Sequence, residues 1–192
     1  MLSRRMLLQG FLAGSAAGPL CLSRTARAEA VLTEDGFYRE PWFLESFLEL
    51  ADDLTAASEK KKRLAIMWEL RGCPYCKETH LVNFAKPEIT NFIKDHFEIL
   101  QLNIIGSREV TDFDGKKLSE KALAQKYGVR YTPTFQFFPD SLAGLAEKPP
   151  EKREVARAQG YLEPPHFLAM FRYVSERAYE RGSLRDYLRA NS

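Results

Sequence analysis

Apolar residues recur at helical spacing in some parts of the chain and form short uninterrupted runs in others. Between residues 41 and 58 the apolar positions include Trp42, Phe43, Phe47 and Leu54, and this spacing predicts an amphipathic helix over that stretch. Residues 64–68 form an apolar run that is too short for a helix and predicts a buried strand. The chain therefore begins its folded part with a helix and a strand.

The later segments continue this alternation. Helices are predicted at residues 74–84, 87–95, 119–127 and 164–181, the third of them opened by Ser119 and closed by Gly128. Strands are predicted at residues 97–104 and 134–138, with a weaker one near residues 153–157, and residues 110–116 predict a small hairpin around Asp114-Gly115. Strands that alternate with helices predict an α/β fold.

Composition and charge exclude several classes of protein. The 192 residues are 45% hydrophobic and 28% charged, which is typical of one globular domain with a core. The net charge of +2 includes four arginines within residues 1–28; the rest of the chain has 24 basic and 26 acidic residues. Because this body has no basic block, nucleic acid is not an expected partner.

The first 28 residues predict a cleavable signal peptide. Arg4-Arg5 precedes an uncharged stretch at residues 6–23, and Ala26-Arg27-Ala28 supplies the small residues that signal peptidase needs. The paired arginines and the weakly apolar stretch resemble a twin-arginine export signal, with cleavage after Ala28 or Ala30. The alternative, a membrane anchor, is disfavoured by the glycines and proline of the stretch. We therefore expect an exported, periplasmic protein whose single domain covers residues 29–192.

Export would remove Cys21 and leave two cysteines, Cys73 and Cys76, in a C-x-x-C motif. A disulfide between residues three positions apart closes too small a loop to stabilise a fold, so the pair indicates a chemically reactive site or a metal site. The motif stands between a predicted strand and a predicted helix that starts at Pro74, which is typical of redox-active pairs. A helix N-terminus favours a thiolate, so Cys73 is expected to attack and the more buried Cys76 to resolve the mixed disulfide.

A metal site is the competing interpretation of the same residues. His80 follows Cys76 by four residues, so Cys73, Cys76 and His80 could share one helical face in a module that carries copper or zinc. The expectation we favour for His80 is a surface position on the helix. Haem attachment is excluded because Lys77, not histidine, follows the second cysteine.

A second motif lies directly before the strand predicted at residues 134–138. Pro133 cannot be an ordinary residue of a central strand, and a cis bond between Thr132 and Pro133 would be a deliberate feature. Such a bond would leave the backbone of Thr132 able to pair with an incoming extended peptide. The motif therefore predicts a docking point for substrate.

Cys73-Pro74-Tyr75-Cys76, together with residues 126–134, resembles the thioredoxin superfamily. The likeness covers about residues 63–174, with residues 101–104 similar to the family's central strand. It implies a central mixed sheet flanked by helices, with an extra N-terminal helix and a short insert after the central strand. It also implies that Pro133 is cis and packs against the cysteines, while Pro74 and Tyr75 shape the contact surface.

Within the superfamily, the chain resembles the exported thioredoxin-like proteins of bacterial sulfur-oxidation clusters, the SoxW type. This resemblance implies a periplasmic dithiol reductant of disulfide-containing proteins that receives electrons from an integral membrane donor. We expect a monomer without a cofactor.

Two positions depart from the pattern of cytoplasmic thioredoxins. Met67 stands where they have a buried aspartate, and Gln101 replaces the accompanying lysine. Glu69 is a candidate for the proton-transfer role instead. Two alternatives with the same chemistry stay open. A disulfide-donating oxidase would reverse the direction of electron flow, which depends on the reduction potential. A reductase for cytochrome c maturation would differ only in its client.

Overall fold

A computed structural model describes residues 30–190 of the chain. The predicted signal peptide, residues 1–28 with Cys21, lies outside the described residues. Within residues 30–190, no helix is long and apolar enough to cross a membrane.

The centre of the fold is a four-stranded mixed sheet, as the sequence predicts. Its strands are β3 (Arg63–Glu69), β4 (Phe97–Asn103), β7 (Thr134–Phe137) and β8 (Ala156–Gln159), in the order β4-β3-β7-β8. Strands β3 and β4 are parallel, whereas β3 with β7 and β7 with β8 are antiparallel. Two hairpins stand outside the sheet: β1 (Val31–Leu32) with β2 (Tyr38–Arg39), and β5 (Glu109–Thr111) with β6 (Lys117–Ser119).

Helices cover both faces of this sheet. They are α1 (Leu50–Glu59), α2 (Pro74–Glu78) with a following π-helical turn (Thr79–Asn83), α3 (Pro87–His96), α4 (Glu120–Lys126), α5 (Pro164–Ser175) and α6 (Leu184–Ala190). Short 3-10 turns lie at Pro150–Lys152 and Ala178–Glu180. Along β3, Ala65 and Met67 pack in the cluster that includes α3 and α5, while Ile66 and Trp68 pack in the cluster of α1 and α4. The continuous apolar run of β3 follows from this burial on both faces.

The predicted N-terminal helix is wrong in its first half, since α1 begins only at Leu50. Leu48 has a φ of +65°, a left-handed conformation that interrupts a right-handed helix. The N–H of Leu44 donates to the carbonyl of Ile99 in β4 at 2.9 Å, so this segment bonds to the sheet instead of to itself. Phe43 is buried, but Phe47 is 98% exposed, against the prediction from spacing.

The identification of β4 as the central strand is also wrong. Among the described strands β4 lies at the edge of the sheet, and β3 and β7 are central. The flanking segment before α1 covers β4 through Leu44 without forming a regular strand there. A segment that pairs with the sheet through isolated hydrogen bonds has no alternation of apolar and polar residues from which a strand could be predicted.

The helix predicted at residues 164–181 is shorter in the structure, and a further helix follows it. Helix α5 ends at Ser175, and Arg177 adopts a φ of +53° that breaks the helix. Helix α6 was not predicted, although Ser183 and Asp186 carry a capping signal: the Ser183 hydroxyl accepts the N–H of Asp186 at 3.2 Å. The weak strand is displaced from residues 153–157 to β8, because Arg153 is buried in an ion cluster.

This ion cluster attaches the β5–β6 hairpin, which the sequence predicted, to the body of the fold. Arg153 lies 2.9 Å from Asp112 and 3.1 Å from Asp114, and Lys126 pairs with both carboxylates. Burial raises the pKa of Asp114, but hydrogen bonds from Lys126 and Arg153 outweigh it and hold the pKa at about 2. The hairpin is therefore fixed by ion pairs in which the Asp114 carboxylate keeps its charge through the neutral range.

A second buried carboxylate shapes the loop between β4 and β5. Glu120, at the start of α4, accepts the backbone N–H groups of Asn103 at 2.9 Å and Arg108 at 3.3 Å, and the Arg108 guanidinium at 2.6 Å. A Cβ on Gly106 would lie 2.0 Å from a carboxylate oxygen of Glu120. The loop can therefore close over Glu120 only with glycine at this position.

We predict that Gly106→Ala destabilises the protein by about 1–3 kcal/mol, because Glu120 must give up hydrogen bonds to make room. Urea unfolding of the oxidised protein measures the change. Gly182→Ala is the control, since a Cβ there meets nothing within 4 Å and its stability should stay near that of wild type. Equal stability of the two variants would contradict this account of the loop.

Candidate active site

The cysteine pair begins where β3 ends. Gly72 has a φ of +73°, which turns the chain sharply, and the N–H of Cys73 donates to the carbonyl of Leu70 at 3.1 Å. Cys73 is the N-cap of α2, and Pro74 occupies the first helical position, where its missing N–H costs nothing. A buried strand, a glycine turn and a proline at the start of α2 thus place the cysteines beyond the C-terminal end of the central strand β3.

The two cysteines differ in exposure. They form a disulfide, with their Cα atoms 5.3 Å apart. Cys73 is half-buried, whereas Cys76 is 4% exposed. The sulfur of Cys73 also accepts the backbone N–H of Cys76 at 3.1 Å. A donor aimed at that sulfur stabilises negative charge on it, which is the requirement for a nucleophilic thiolate.

The peptide bond between Thr132 and Pro133 is cis and lies against Cys73. The Thr132 hydroxyl lies 3.4 Å from the Cys73 sulfur, and the Thr132 carbonyl oxygen lies 3.6 Å from it. The N–H of Gly160 in turn donates to the Pro133 carbonyl at 2.8 Å. The structure therefore brings together the two sequence motifs, which are separated by more than fifty residues.

Apolar side chains surround this site at the surface. Pro74 and Tyr75 are exposed, Tyr75 to 55%, and the Tyr75 ring stacks on Tyr161 with centroids 6.3 Å apart. Tyr131, next to Thr132, is 64% exposed. Exposed aromatic groups around a half-buried sulfur offer contact area to another polypeptide.

An open groove of about 640 Å³ borders the turn before Cys73. Leu70 and Arg71 of that turn form one wall, Phe37 of the first hairpin another, and Asn103 and Arg108 the side toward the insert. The insert after β4 therefore lines the surface next to the cysteine pair.

The expectation that His80 is a surface residue is wrong. His80 is 1% exposed and lies between two buried carboxylates: its Nδ1 is 2.9 Å from Glu40 and its Nε2 is 3.1 Å from Glu69. The aromatic rings of Phe43 and Phe84 pack against it, at 5.7 and 5.3 Å between centroids. Spacing along the helix could not reveal this, because the covering residues come from the segment before α1. We refer to these three ionisable residues as the Glu40–His80–Glu69 chain.

Glu69 is held on both sides. One carboxylate oxygen faces His80, and the other accepts a hydrogen bond from the side-chain amide of Gln101, which also donates to the carbonyl of Tyr38 at 2.7 Å. Both oxygens of this carboxylate are therefore engaged, one by a ring nitrogen and one by a side-chain amide. Met67, two residues earlier on the same face of β3, is fully buried in the apolar core.

The charge on His80 follows from its surroundings. Burial lowers the pKa of the ring, but hydrogen bonds with Glu40 and Glu69 and the charges of these carboxylates outweigh burial, and the pKa is raised above its usual value. The contacts with Glu40 and Glu69 therefore favour the protonated form of the ring.

The metal interpretation is not supported by this geometry. Both ring nitrogens of His80 face carboxylates and not the cysteine sulfurs, so the ring cannot join Cys73 and Cys76 around one ion. Among residues 30–190, no three His, Cys, Asp or Glu side chains are grouped as a metal site.

Comparison with known proteins gives the site its context. Residues 50–175, more than half of the chain, match the family described as a thioredoxin-like domain. The chain belongs to the thioredoxin-like family. Proteins of this fold are in general thiol–disulfide oxidoreductases, and the C-x-x-C pair is present here. No curated protein sequence matches the chain.

Solved structures agree on the fold of this thioredoxin-like protein. A thioredoxin-fold protein from Helicobacter pylori is 21% identical with a TM-score of 0.53, and the alignment covers 73% of this chain and 97% of that one. A thioredoxin from Thermus thermophilus is 21% identical with a TM-score of 0.49, covering 70% of this chain and 88% of that one. At 21% identity, the likeness to the Helicobacter pylori protein shows the fold alone.

One buried group of the site lies outside the thioredoxin-like domain. The matched residues include Cys73, Cys76, His80 and Glu69, whereas Glu40 precedes them. Sequence reasoning missed Glu40 altogether, because a single glutamate in a segment without a predicted helix or strand belongs to no motif. Its one signal is indirect: a histidine on the buried side of a helix needs a polar partner.

We predict that stability falls as the pH rises above neutral because of His80. The folded state keeps this proton to a higher pH than the unfolded chain, whose histidines titrate near about 6.5. The contribution is complete below that pH and is lost as the pH rises through the folded pKa, with a slope approaching about 1.4 kcal/mol per pH unit.

Urea unfolding of the oxidised protein at a series of pH values between 6 and 9 measures this slope. His80→Gln should remove the slope, whereas the control His96→Gln should retain it, since His96 bonds through its Nδ1 to the backbone carbonyl of Phe92 and stacks on the Phe92 ring. The same slope in wild type and His80→Gln would contradict the prediction.

Proposed function

We propose that this protein is an exported dithiol reductant that reduces disulfides of other periplasmic proteins through Cys73 and Cys76. The observation that carries the proposal is the asymmetry of the pair. Cys73 is half-buried with an N–H donor directed at its sulfur, whereas Cys76 is almost fully buried one helical turn further on. One sulfur is thus reachable by a large substrate and the other only by its neighbour.

In the proposed reaction the Cys73 thiolate attacks a client disulfide. The client's leaving sulfur departs with the bonding electron pair, and Cys73 becomes joined to the client. Cys76, once deprotonated, then attacks the Cys73 sulfur and releases the reduced client, leaving the oxidised pair. The Cys76 N–H that binds the Cys73 sulfur supports the first step by stabilising the thiolate.

The residues around Cys73 suit the docking of an extended peptide. Thr132 lies within 3.6 Å of the Cys73 sulfur, so a client backbone that pairs with Thr132 would bring its disulfide to that sulfur. We propose that Thr132 and Pro133 dock the client backbone, and that Pro74 and Tyr75 contact its side chains. The groove lined by the insert would extend this contact surface.

The setting of the activity is inferred from the sequence resemblance. The twin-arginine-like signal and the likeness to SoxW-type proteins support a periplasmic reductant that serves a sulfur-oxidation system. Such a reductant needs electrons from the cytoplasm, and an integral membrane donor would supply them.

We predict that Cys76→Ser accumulates mixed disulfides with clients, because the attacking sulfur remains and the resolving sulfur is absent. Cys73→Ser should trap none and should reduce a model protein disulfide no faster than buffer. Non-reducing electrophoresis of the exported variants, followed by mass spectrometry of the adducts, measures both outcomes.

The double variant is the matched control for adducts that do not depend on either cysteine. Full reducing activity in Cys73→Ser would show that the attacking residue is wrongly assigned. Adducts whose partners belong to no sulfur-oxidation system would overturn the proposed clients while leaving the chemistry in place.

A further inference from the structure

His80, the central member of the buried Glu40–His80–Glu69 chain, lies in the helical segment that begins with the resolving cysteine's helix α2. His80 follows Cys76 by four residues, which places the two side chains about one helical turn apart. Cys76 is 4% exposed and His80 is 1% exposed, so little water separates or screens them. In such surroundings a change of one charge acts strongly on a neighbouring group.

The hydrogen-bond geometry fixes how many protons the Glu40–His80–Glu69 chain holds. Each of its two N···O contacts needs one hydrogen between the atoms, and a neutral ring supplies only one. Since Glu69 already accepts on both oxygens, the second hydrogen lies between Glu40 and the Nδ1 of His80. Whichever of these atoms carries it, the net charge is −1.

Glu40 is fixed in place by its own segment. It is 2% exposed, and its carbonyl accepts the N–H of Phe43 at 3.0 Å in the turn that follows β2. The other groups around the His80 ring are the Tyr38 ring, whose centroid is 6.1 Å away, and the apolar rings of Phe43 and Phe84. The titratable groups that contact the His80 ring are therefore Tyr38 from β2, Glu40 after it and Glu69 from β3, while Cys76 precedes it by about one helical turn.

We propose that Glu40 and His80 are positioning residues of the redox pair: they hold the Glu69 carboxylate and one shared proton behind α2, and so set the pH at which Cys76 ionises. The segment before the thioredoxin-like domain would then be a working part of the site. This inference rests on the proposed function, because only dithiol exchange requires Cys76 to lose its proton.

The step affected is the release of the client. The Cys76 thiol gives up its proton, its sulfur attacks Cys73, and the bond between Cys73 and the client breaks. The client sulfur leaves with the electron pair and takes a proton from solvent. In this step the Cys76 sulfur is oxidised, the client sulfur is reduced and the Cys73 sulfur stays in a disulfide, so the Glu40–His80–Glu69 chain supplies charge and no electrons.

The test is Glu40→Gln, which keeps the shape of the side chain and removes one negative charge. The amide oxygen can accept from the Nδ1 of His80, so both contacts of the ring can persist while the net charge changes from −1 to 0, and NMR of the His80 ring checks that it keeps both protons. In the Cys73→Ser background, Cys76 is the one thiol that remains of the C-x-x-C pair, and ultraviolet absorbance measures its ionisation to the thiolate. We expect Cys76 to ionise about one pH unit lower with Glu40→Gln, a tenfold larger thiolate fraction at a given pH.

Glu45→Gln in the same background is the matched control. It removes the same charge from the same segment, but the Glu45 side chain is 88% exposed and pairs with Arg39 at the surface. Its Cys76 titration should match that of the parent. If Glu40→Gln also titrates like the parent, the proposal is overturned.

A second measurement needs no change at Glu40. Coupling between two sites is reciprocal, so ionised Cys76 must make His80 hold its proton more tightly. NMR titration of wild type should show His80 deprotonating at higher pH in the reduced protein than in the oxidised protein. The same His80 titration in both states would contradict the proposal, whereas failure of the proposed function would appear separately, as a folded protein that reduces no disulfide.

Discussion

Two carboxylates buried near each other need a shared proton or a positive partner to offset their charge, and this constraint organises the region behind the cysteine pair. Glu40 and Glu69 are each about 2% exposed or less, and His80 lies between them. Removing the histidine would leave uncompensated buried charge, which in proteins generally costs several kcal/mol. The segment that carries Glu40 must therefore fold over the thioredoxin-like domain for the interior of the site to be complete.

The same arrangement gives the two sulfurs contrasting surroundings. Cys73 accepts a backbone N–H at the start of a helix, which favours negative charge on its sulfur. Cys76 lies in the interior, at 4% exposure, on the same helical segment as His80. A pair of titratable groups with opposed environments is the usual way in which one site separates two chemical roles. The contrast supports the proposed roles, attack by the outer sulfur and resolution by the inner one.

Local patterns were sufficient to predict the part of the site that local geometry determines. The apolar run of β3, the C-x-x-C motif, Pro74 at the helix start and the proline before β7 each depend on neighbouring residues, and the structure has all of them in the expected places. The α/β class followed from the alternation of helices and strands, whereas the mixed sheet with helices on both faces was implied by the resemblance to the thioredoxin superfamily.

Contacts between distant residues account for what the sequence could not predict. The bond between His80 and Glu40 joins residues forty positions apart, and no spacing rule connects them. Residues 41–49 have helical periodicity, yet Leu44 bonds to Ile99 and the helix starts later. In both cases a tertiary partner outweighed the local preference.

The central claim is that the cysteine pair delivers electrons to clients, and the reduction potential of Cys73–Cys76 tests it most directly. The protein lacking residues 1–28 is equilibrated against thiol buffers of defined potential, and the oxidised fraction is measured. The account predicts a value near that of thioredoxin, about −270 mV. A value near that of DsbA, about −120 mV, would make the protein an oxidant and would contradict the account.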